Sequence, residues 1–212
     1  MVRSGHGGRE RVLVTLFSDA SMCERQKVGG WAAWLKCSRR TEPHRAGAPF
    51  SVRVKDTAMA ESMAVVNALS SALRTGFVEP GDEILIQTDN DSVMGVLEGT
   101  AVRTMSKAAR IRKGLTKGQG KKLVAERNAE IAMVSAAFLS MTSSSTLRIR
   151  WRHVKGHRGA VDPRSAVNSY CDRMARAHMR TARGMQVPTI KERLASRGCG
   201  TVRNDGAMEN QE

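Results

Sequence analysis

The sequence predicts an α/β fold, a five-stranded mixed sheet flanked by helices. Three observations predict it. The order of apolar patterns is three strands, a helix, a strand, helices, a strand and a last helix. The chain has 212 residues and 41% hydrophobic content, enough for one substantial core plus extensions. It also contains no G-x-G-x-x-G and no G-x-x-x-x-G-K-[ST], which argues against dinucleotide-binding and P-loop arrangements.

Residues 1–10 read as a flexible leader without the apolar core of a signal peptide. A first strand is expected at about 11–19, through Val-Leu-Val-Thr-Leu-Phe-Ser-Asp19. Gly29 and Gly30 mark a turn region before a second strand over 31–36. The polar stretch 38–49, with Arg39, Arg40, Pro43 and Gly47, reads as a long hairpin connection, and the third strand is expected from Phe50 to about Lys55. The apolar spacing from Ala58 to Arg74 suits a helix that ends at Gly76, and Pro80-Gly81 marks a turn. Glu83 to Thr88 is the fourth strand, with a short helix after Asp89. Gly114, Gly118 and Gly120 are expected to break the segment 103–127 into two pieces, before a helix over 123–141. The serines at 143–145 form a loop, Leu147 to His153 the last strand, and 163–183 the last helix. The core domain is therefore 11–183, and the tail 184–212, weak in periodicity, is expected to be partly disordered.

Net charge is +15 with a pI near 10.7, so a polyanion, by default nucleic acid, is the expected partner. Aromatic content of 4% disfavours broad base stacking as the main mode of binding. The basic residues concentrate in 103–127, where nine lysines and arginines face Glu126 alone. The longest apolar-rich stretch, 131–141, is too short to span a bilayer. Cys23, Cys37, Cys171 and Cys199 lie far apart, without C-x-x-C, and read as reduced thiols, although one disulfide stays open. These features give the cytoplasm, or association with the nucleoid, as the expected setting, and a monomer is the expected state.

Four acids stand out against this charge: Asp19, Glu61, Asp89 and Asp172. Asp19 and Asp89 each close an apolar run. If their strands lie side by side and parallel, both carboxylates reach the carboxyl edge of the sheet, where open α/β sheets bind ligands. Glu61 and Asp172 sit in helical patterns able to cross that edge. Taken alone, an Asp after a strand is most often a turn former or a helix cap, and a helical Glu is ordinary. Together, four oxygen donors suit Mg²⁺ or Mn²⁺ and not zinc. Like charges so close would raise one another's pKa unless a cation sits among them.

The segments carrying these acids resemble the type 1 ribonuclease H family over about residues 11–182. The matching blocks are Phe17-Ser-Asp19-Ala-Ser21 with Gly29-Gly30-Trp31, Ala60-Glu61, Thr88-Asp89-Asn90, and Val154-Lys155-Gly156-His157-Arg158-Gly159 with Asn168-Ser-Tyr-Cys171-Asp172. The last block is the most specific. The resemblance implies a ribonuclease H-like fold and endonucleolytic hydrolysis of RNA in RNA–DNA hybrids with two divalent ions. It implies Asp19, Glu61, Asp89 and Asp172 as metal-binding catalytic carboxylates, and His157 as an aid to proton transfer or product release. Ser21, Thr57, Asn90, Lys155 and Asn168 would contact substrate. The segment 103–127 falls where some members carry a basic protrusion, with Lys113, Lys117, Lys121 and Lys122 as its phosphate contacts. Family members often carry two Asn residues just before the glutamate that contact the hybrid, and here Thr57 and Ala58 stand there. Two alternatives follow: a related nuclease with a different duplex or single-stranded substrate, and a catalytically silent binding module of the same fold.

Overall fold

The computed structural model describes residues 11–154 and 163–198. Five strands form one mixed sheet: β1 (Leu13–Cys23), β2 (Val28–Lys36), β3 (His44–Pro49), β4 (Glu83–Thr88) and β5 (Arg148–His153). Their order is β3-β2-β1-β4-β5, with β1–β2 and β2–β3 antiparallel and β1–β4 and β4–β5 parallel. Helices α1 (Thr57–Arg74), α2 (Ser92–Leu97) and α4 (Lys117–Ser144) pack together on one face, and α5 (Pro163–Ala182) covers the other. The short α3 (Lys107–Arg112) precedes α4, and α6 (Ile190–Gly198) lies in the tail. The expected five-stranded mixed sheet flanked by helices is what forms.

The two faces follow from alternation along the strands. Val14 and Leu16 of β1 and Ile84 and Ile86 of β4 are fully buried against Ala64, Ala68 and Leu69 of α1. Phe17 and Leu85 point to the opposite face, under α5. There Cys171 is fully buried and its Sγ lies 3.9 Å from the Phe17 carbonyl. Burial pushes the Cys171 thiol up to about 12, so it packs as an inert apolar group.

Three expectations are corrected. First, β1 does not stop at Asp19 but runs to Cys23, because β2 continues the antiparallel pairing from Asp19↔Ala32 to Cys23↔Val28. Second, the third strand is His44–Pro49, inside the expected connection, and Phe50 to Lys55 is not a strand. The small residues Gly47 and Ala48 pair with Ala32 and Trp31, and as an edge strand β3 tolerates Pro49. Phe50, Val52 and Val54 do bury their side chains, which is the alternation that suggested a strand, but they close the core as irregular chain. Third, the helix expected over 123–141 begins at Lys117, so Gly118 and Gly120 lie within it. Thr116 and Gln119 form a reciprocal capping box that nucleates the helix ahead of those glycines. Gly114, at φ +62°, is the residue that separates α3 from α4. Within the tail, Ile190–Gly198 form α6, and Val187 ahead of it is buried against Val28 and Ala182. Arg53 fastens it by donating to the Val187 carbonyl at 2.9 Å.

Two details place the site. At Gly30 a Cβ would lie 2.4 Å from the Met179 backbone nitrogen and 2.5 Å from the His178 Cβ, so only glycine lets α5 sit this close to β2. At the start of α1, Asp56 Oδ1 accepts from the Met59 backbone N–H at 2.9 Å. Asp56 also faces Arg127 at 3.6 Å and Arg103 at 3.9 Å, which ties the start of α1 to α4 and to the chain before α3. Asp56→Ala is expected to cost about 1–2 kcal/mol, because it removes the cap and leaves two guanidinium groups without their anion. Asp56→Asn, which keeps the cap, should cost less. Urea unfolding of the two variants checks the order, and equal losses would mean that the arginine pairing contributes nothing.

Candidate active site

The register brings the acids together. β1 and β4 pair in parallel up to Phe17↔Gln87, so Asp19 and Asp89 both lie two residues beyond the last paired row, on the same side of the sheet. α1 brings Glu61 to this edge from one face, and α5 brings Asp172 from the other. All four line one cleft of about 710 Å³, together with Thr57, Asn90 and Asn168. Asp91, Ser92 and Ser169 also line it.

The electrostatics of the cleft are unfavourable for bare carboxylates. Glu61 is buried, and Asp19 and Glu61 share a hydrogen bond. The Ala20 N–H donates to Asp19 Oδ1 at 2.7 Å and reaches Glu61 Oε1 at 3.4 Å. Burial pushes the Asp19 carboxyl up to about 6; the nearby charges of Asp172 and Asp89 add to this, and the hydrogen bonds from Glu61 and Ala20 offset part of it. Burial, then the charge of Asp19, holds Glu61 well above the usual carboxylate range. Asp172 has a partner of its own, Arg176 one turn later on α5, whose Nε lies 2.8 Å from Oδ1. Asp89 is exposed.

The donor set fits hard divalent cations. It is all oxygen, carries four potential negative charges in one cleft, and holds two of them strained towards protonation. Among the described residues no group of three or more His, Cys, Asp or Glu is already closed to ligating distance. The Asp19–Glu61 hydrogen bond and the Asp172–Arg176 pair are the contacts that a cation would have to displace.

The other expected site residues divide. Thr57, Asn90 and Asn168 are in the cleft. Ser21 lies further along β1, opposite Gly30, and is not among the lining residues. Lys113 is the exposed C-cap of α3, and Lys117, Lys121 and Lys122 lie exposed on the first turns of α4, away from the cleft. Lys155 and His157 lie outside the described residues. His153 ends β5, and its Nδ1 meets Asp91 Oδ1 at 2.7 Å on the rim of the cleft. Arg176 and Asp91 were missed by sequence reasoning. The i,i+4 spacing of Asp172 and Arg176 could have suggested the first. The second depends on how β5 ends beside the loop after β4, which no local pattern encodes.

The RNase H family model matches residues 11–180. The chain belongs to the RNase H family. Among solved structures it is similar to the N-terminal RNase H domain of a Mycobacterium tuberculosis protein, solved as a fusion with maltose-binding protein. That match has 16% identity and a TM-score of 0.53, and covers 82% of this chain and 97% of the other. It is also similar to LC9-RNase H1, described as a type 1 RNase H with the type 2 active-site motif. Here identity is 16% and the TM-score 0.51, with 89% of this chain and 82% of the other covered. At this identity the two structures establish a shared fold. No curated protein matches the sequence closely enough to count as a relative. The basic segment of this RNase H protein begins with Arg103, whose backbone is clamped by Asn128 through bonds of 2.8 and 3.2 Å. No helix among its described residues is long and apolar enough to cross a membrane.

Proposed function

We propose that this RNase H protein is a metal-dependent endonuclease that hydrolyses the RNA strand of RNA–DNA hybrids. The observation that carries the reading is the convergence of Asp19, Glu61, Asp89 and Asp172 on one cleft at the carboxyl edge of β1 and β4. These carboxylates would hold two Mg²⁺ or Mn²⁺ ions, which supply an activated water and charge stabilisation at the leaving 3′ oxygen. The chain's own groups do the rest. Glu61, buried on α1, keeps its carboxyl fixed beside Asp19, which the Ala20 N–H orients at 2.7 Å. Until a cation binds, Arg176 holds Asp172 in the cleft. Asn90, in the loop after β4, and Asn168, on α5, offer amides to sugar and phosphate oxygens, and the exposed Thr57 hydroxyl can meet a 2′-hydroxyl. His157, as an imidazole able to titrate near neutral pH, would exchange the proton of the departing product. A monomer working in the cytoplasm or nucleoid is the setting proposed.

Assay of the purified protein with labelled hybrid, double-stranded RNA, double-stranded DNA and single strands, with Mg²⁺ or with EDTA, tests the reading. Cleavage of the RNA strand of the hybrid, only with metal, is expected. Inertness towards all of them with metal present would leave only a binding module. One observation favours a second substrate range: Ala58 is buried and has no polar side-chain group, so Thr57 alone is left to read a 2′-hydroxyl before Glu61. Equal cleavage of double-stranded RNA would establish that broader range.

The exposed lysines of α3 and α4 form a second surface for phosphates. Neutralising Lys113, Lys117, Lys121 and Lys122 to Gln is expected to weaken hybrid binding. It should also flatten the dependence of log K on log salt by about 0.9 for each phosphate that the lysines no longer neutralise. Fluorescence anisotropy across a salt series reads both, and an unchanged slope would remove the segment from the binding surface.

A further inference from the structure

A stripe of arginines on α5 begins at the acidic cleft and leads away from it. Arg173, Arg176, Arg180 and, directly after the helix, Arg183 recur at spacings of three, four and three. That spacing places them within about 80° of the helix circumference. All four are exposed, away from the side that buries Cys171, Ala175, Met179 and Ala182. Arg176 meets Asp172 in the cleft at 2.8 Å, and Arg183 stands beside Cys23 at the end of β1. The stripe thus runs from the cleft to the β1–β2 hairpin, about 15 Å between its first and last arginine.

An ordinary solvated helix face mixes charges of both signs. Here Asp172 is the one acid on α5, and it lies in the cleft. Like charges three and four residues apart destabilise a helix. The helix dipole favours a cation in the last turn, which suits Arg180 but not Arg173 in the middle. Arg173 and Arg180 form no ion pair or side-chain hydrogen bond among the described residues. A strand distant in sequence adds to the same charge: Arg45 of β3 lies over the ring of Tyr170, three residues before Arg173, at 5.9 Å. All five cations are arginines, whose planar forks match phosphate oxygens bidentately.

Position selects the form of the polyanion. The lysines of α3 and α4 lie on one face of the sheet and α5 covers the other, with the cleft at the edge between them. A duplex, stiff over about 150 base pairs, does not turn round such an edge, whereas a single strand does. At about 3.4 Å per nucleotide the stripe matches roughly four nucleotides of one strand. We propose that the arginine stripe of α5 binds the phosphate backbone of a single strand that continues beyond the hybrid, as an overhang of RNA or of DNA. This rests on the reading that the cleft takes a hybrid, and it adds a junction between duplex and single strand as the preferred substrate.

The test is fluorescence anisotropy on the full chain in EDTA, with a short blunt hybrid and the same hybrid carrying a single-stranded extension at each of its ends in turn. At least one extension is expected to tighten binding roughly fivefold or more at low salt, and to steepen the dependence of log K on log salt by about 0.7 for each phosphate engaged. Which end gives the gain, and whether it belongs to the RNA or the DNA strand, assigns the source. The double variant Arg173→Gln, Arg180→Gln changes exposed side chains only and should abolish the gain while leaving the blunt hybrid within twofold of the parent protein. Its thermal stability should not fall, since it relieves like charges on one helix face. A blunt hybrid that fails to bind would overturn the reading of the cleft and this inference with it. Binding of the blunt hybrid with no gain from any extension, or a gain that survives in the double variant, would overturn the stripe alone. An equal loss on blunt and extended hybrids would do so too, because it would show that the exchange acts through net charge.

Discussion

Asp89→Asn is expected to reduce hydrolysis of the hybrid by roughly a thousandfold or more, while hybrid affinity in EDTA changes little. Asp89 is exposed at the end of β4, so the exchange removes one negative charge and one anionic oxygen without disturbing the core. The loss falls on turnover because the carboxylate would act through a cation that matters most as charge develops on the scissile phosphate. In the proposed function, binding rests instead on Lys113, Lys117, Lys121 and Lys122 and on Thr57, Asn90 and Asn168, which keep their places. Single-turnover cleavage and anisotropy on one preparation separate the two effects. A variant that cleaves at more than a tenth of the parent rate would mean that Asp89 is a rim residue and not part of the reacting site.

In metal-free protein, Asp19→Asn is expected to raise stability at pH 8 and to have little effect near pH 3. The sign follows from linkage. Asp19 has its pKa raised in the folded state from 3.8 to about 6, so between those values the native protein binds more protons than the unfolded chain. Its stabilising contribution is complete below about pH 4 and is lost as pH rises through about 6. The upward displacement of Glu61 acts in the same direction. The advantage of the variant should therefore grow across pH 4 to 6 and reach on the order of 2 kcal/mol, reduced by water reaching the half-buried group. Adding Mg²⁺ at pH 8 should reverse the ranking, because a ligand that binds only the native state stabilises it by mass action, and the parent keeps the full donor set. Thermal unfolding over a pH series, with EDTA and then with Mg²⁺, reads both parts. A variant whose advantage is the same at pH 4 and pH 8 would show that Asp19 is not strained by its neighbours.

The physical basis of both predictions differs in how far it is encoded locally. Asp19 and Asp89 can be picked out because each ends a run of apolar residues, and Glu61 because the helix around it has a clear buried stripe. β4 and α1 match their expected bounds almost to the residue, since a buried strand and an amphipathic helix each impose a short period on the sequence. The third strand lies elsewhere than expected because Phe50, Val52 and Val54 alternate as a strand should, while His44–Pro49 is short, small and polar. What makes the latter a strand is the free edge of β2, a partner distant in sequence. The unbroken α4 has a similar cause: a capping box at Thr116 and Gln119 overrides two glycines whose intrinsic preference opposes a helix.

By itself, the sequence determined the class of fold, the oxygen-only acidic set and the basic segment. These are properties of residue type and of short periods, which act through neighbours a few positions away. Only the tertiary structure decided that Asp19 lies within β1 and not at its end, and that the parallel register of β1 and β4 puts it level with Asp89. It also decided that Arg176 holds Asp172 and that Asp56 ties α1 to α4. Each of these joins strands or helices, or turns on which side chains share the space at one sheet edge. That is set by packing and register, and local periodicity does not encode it.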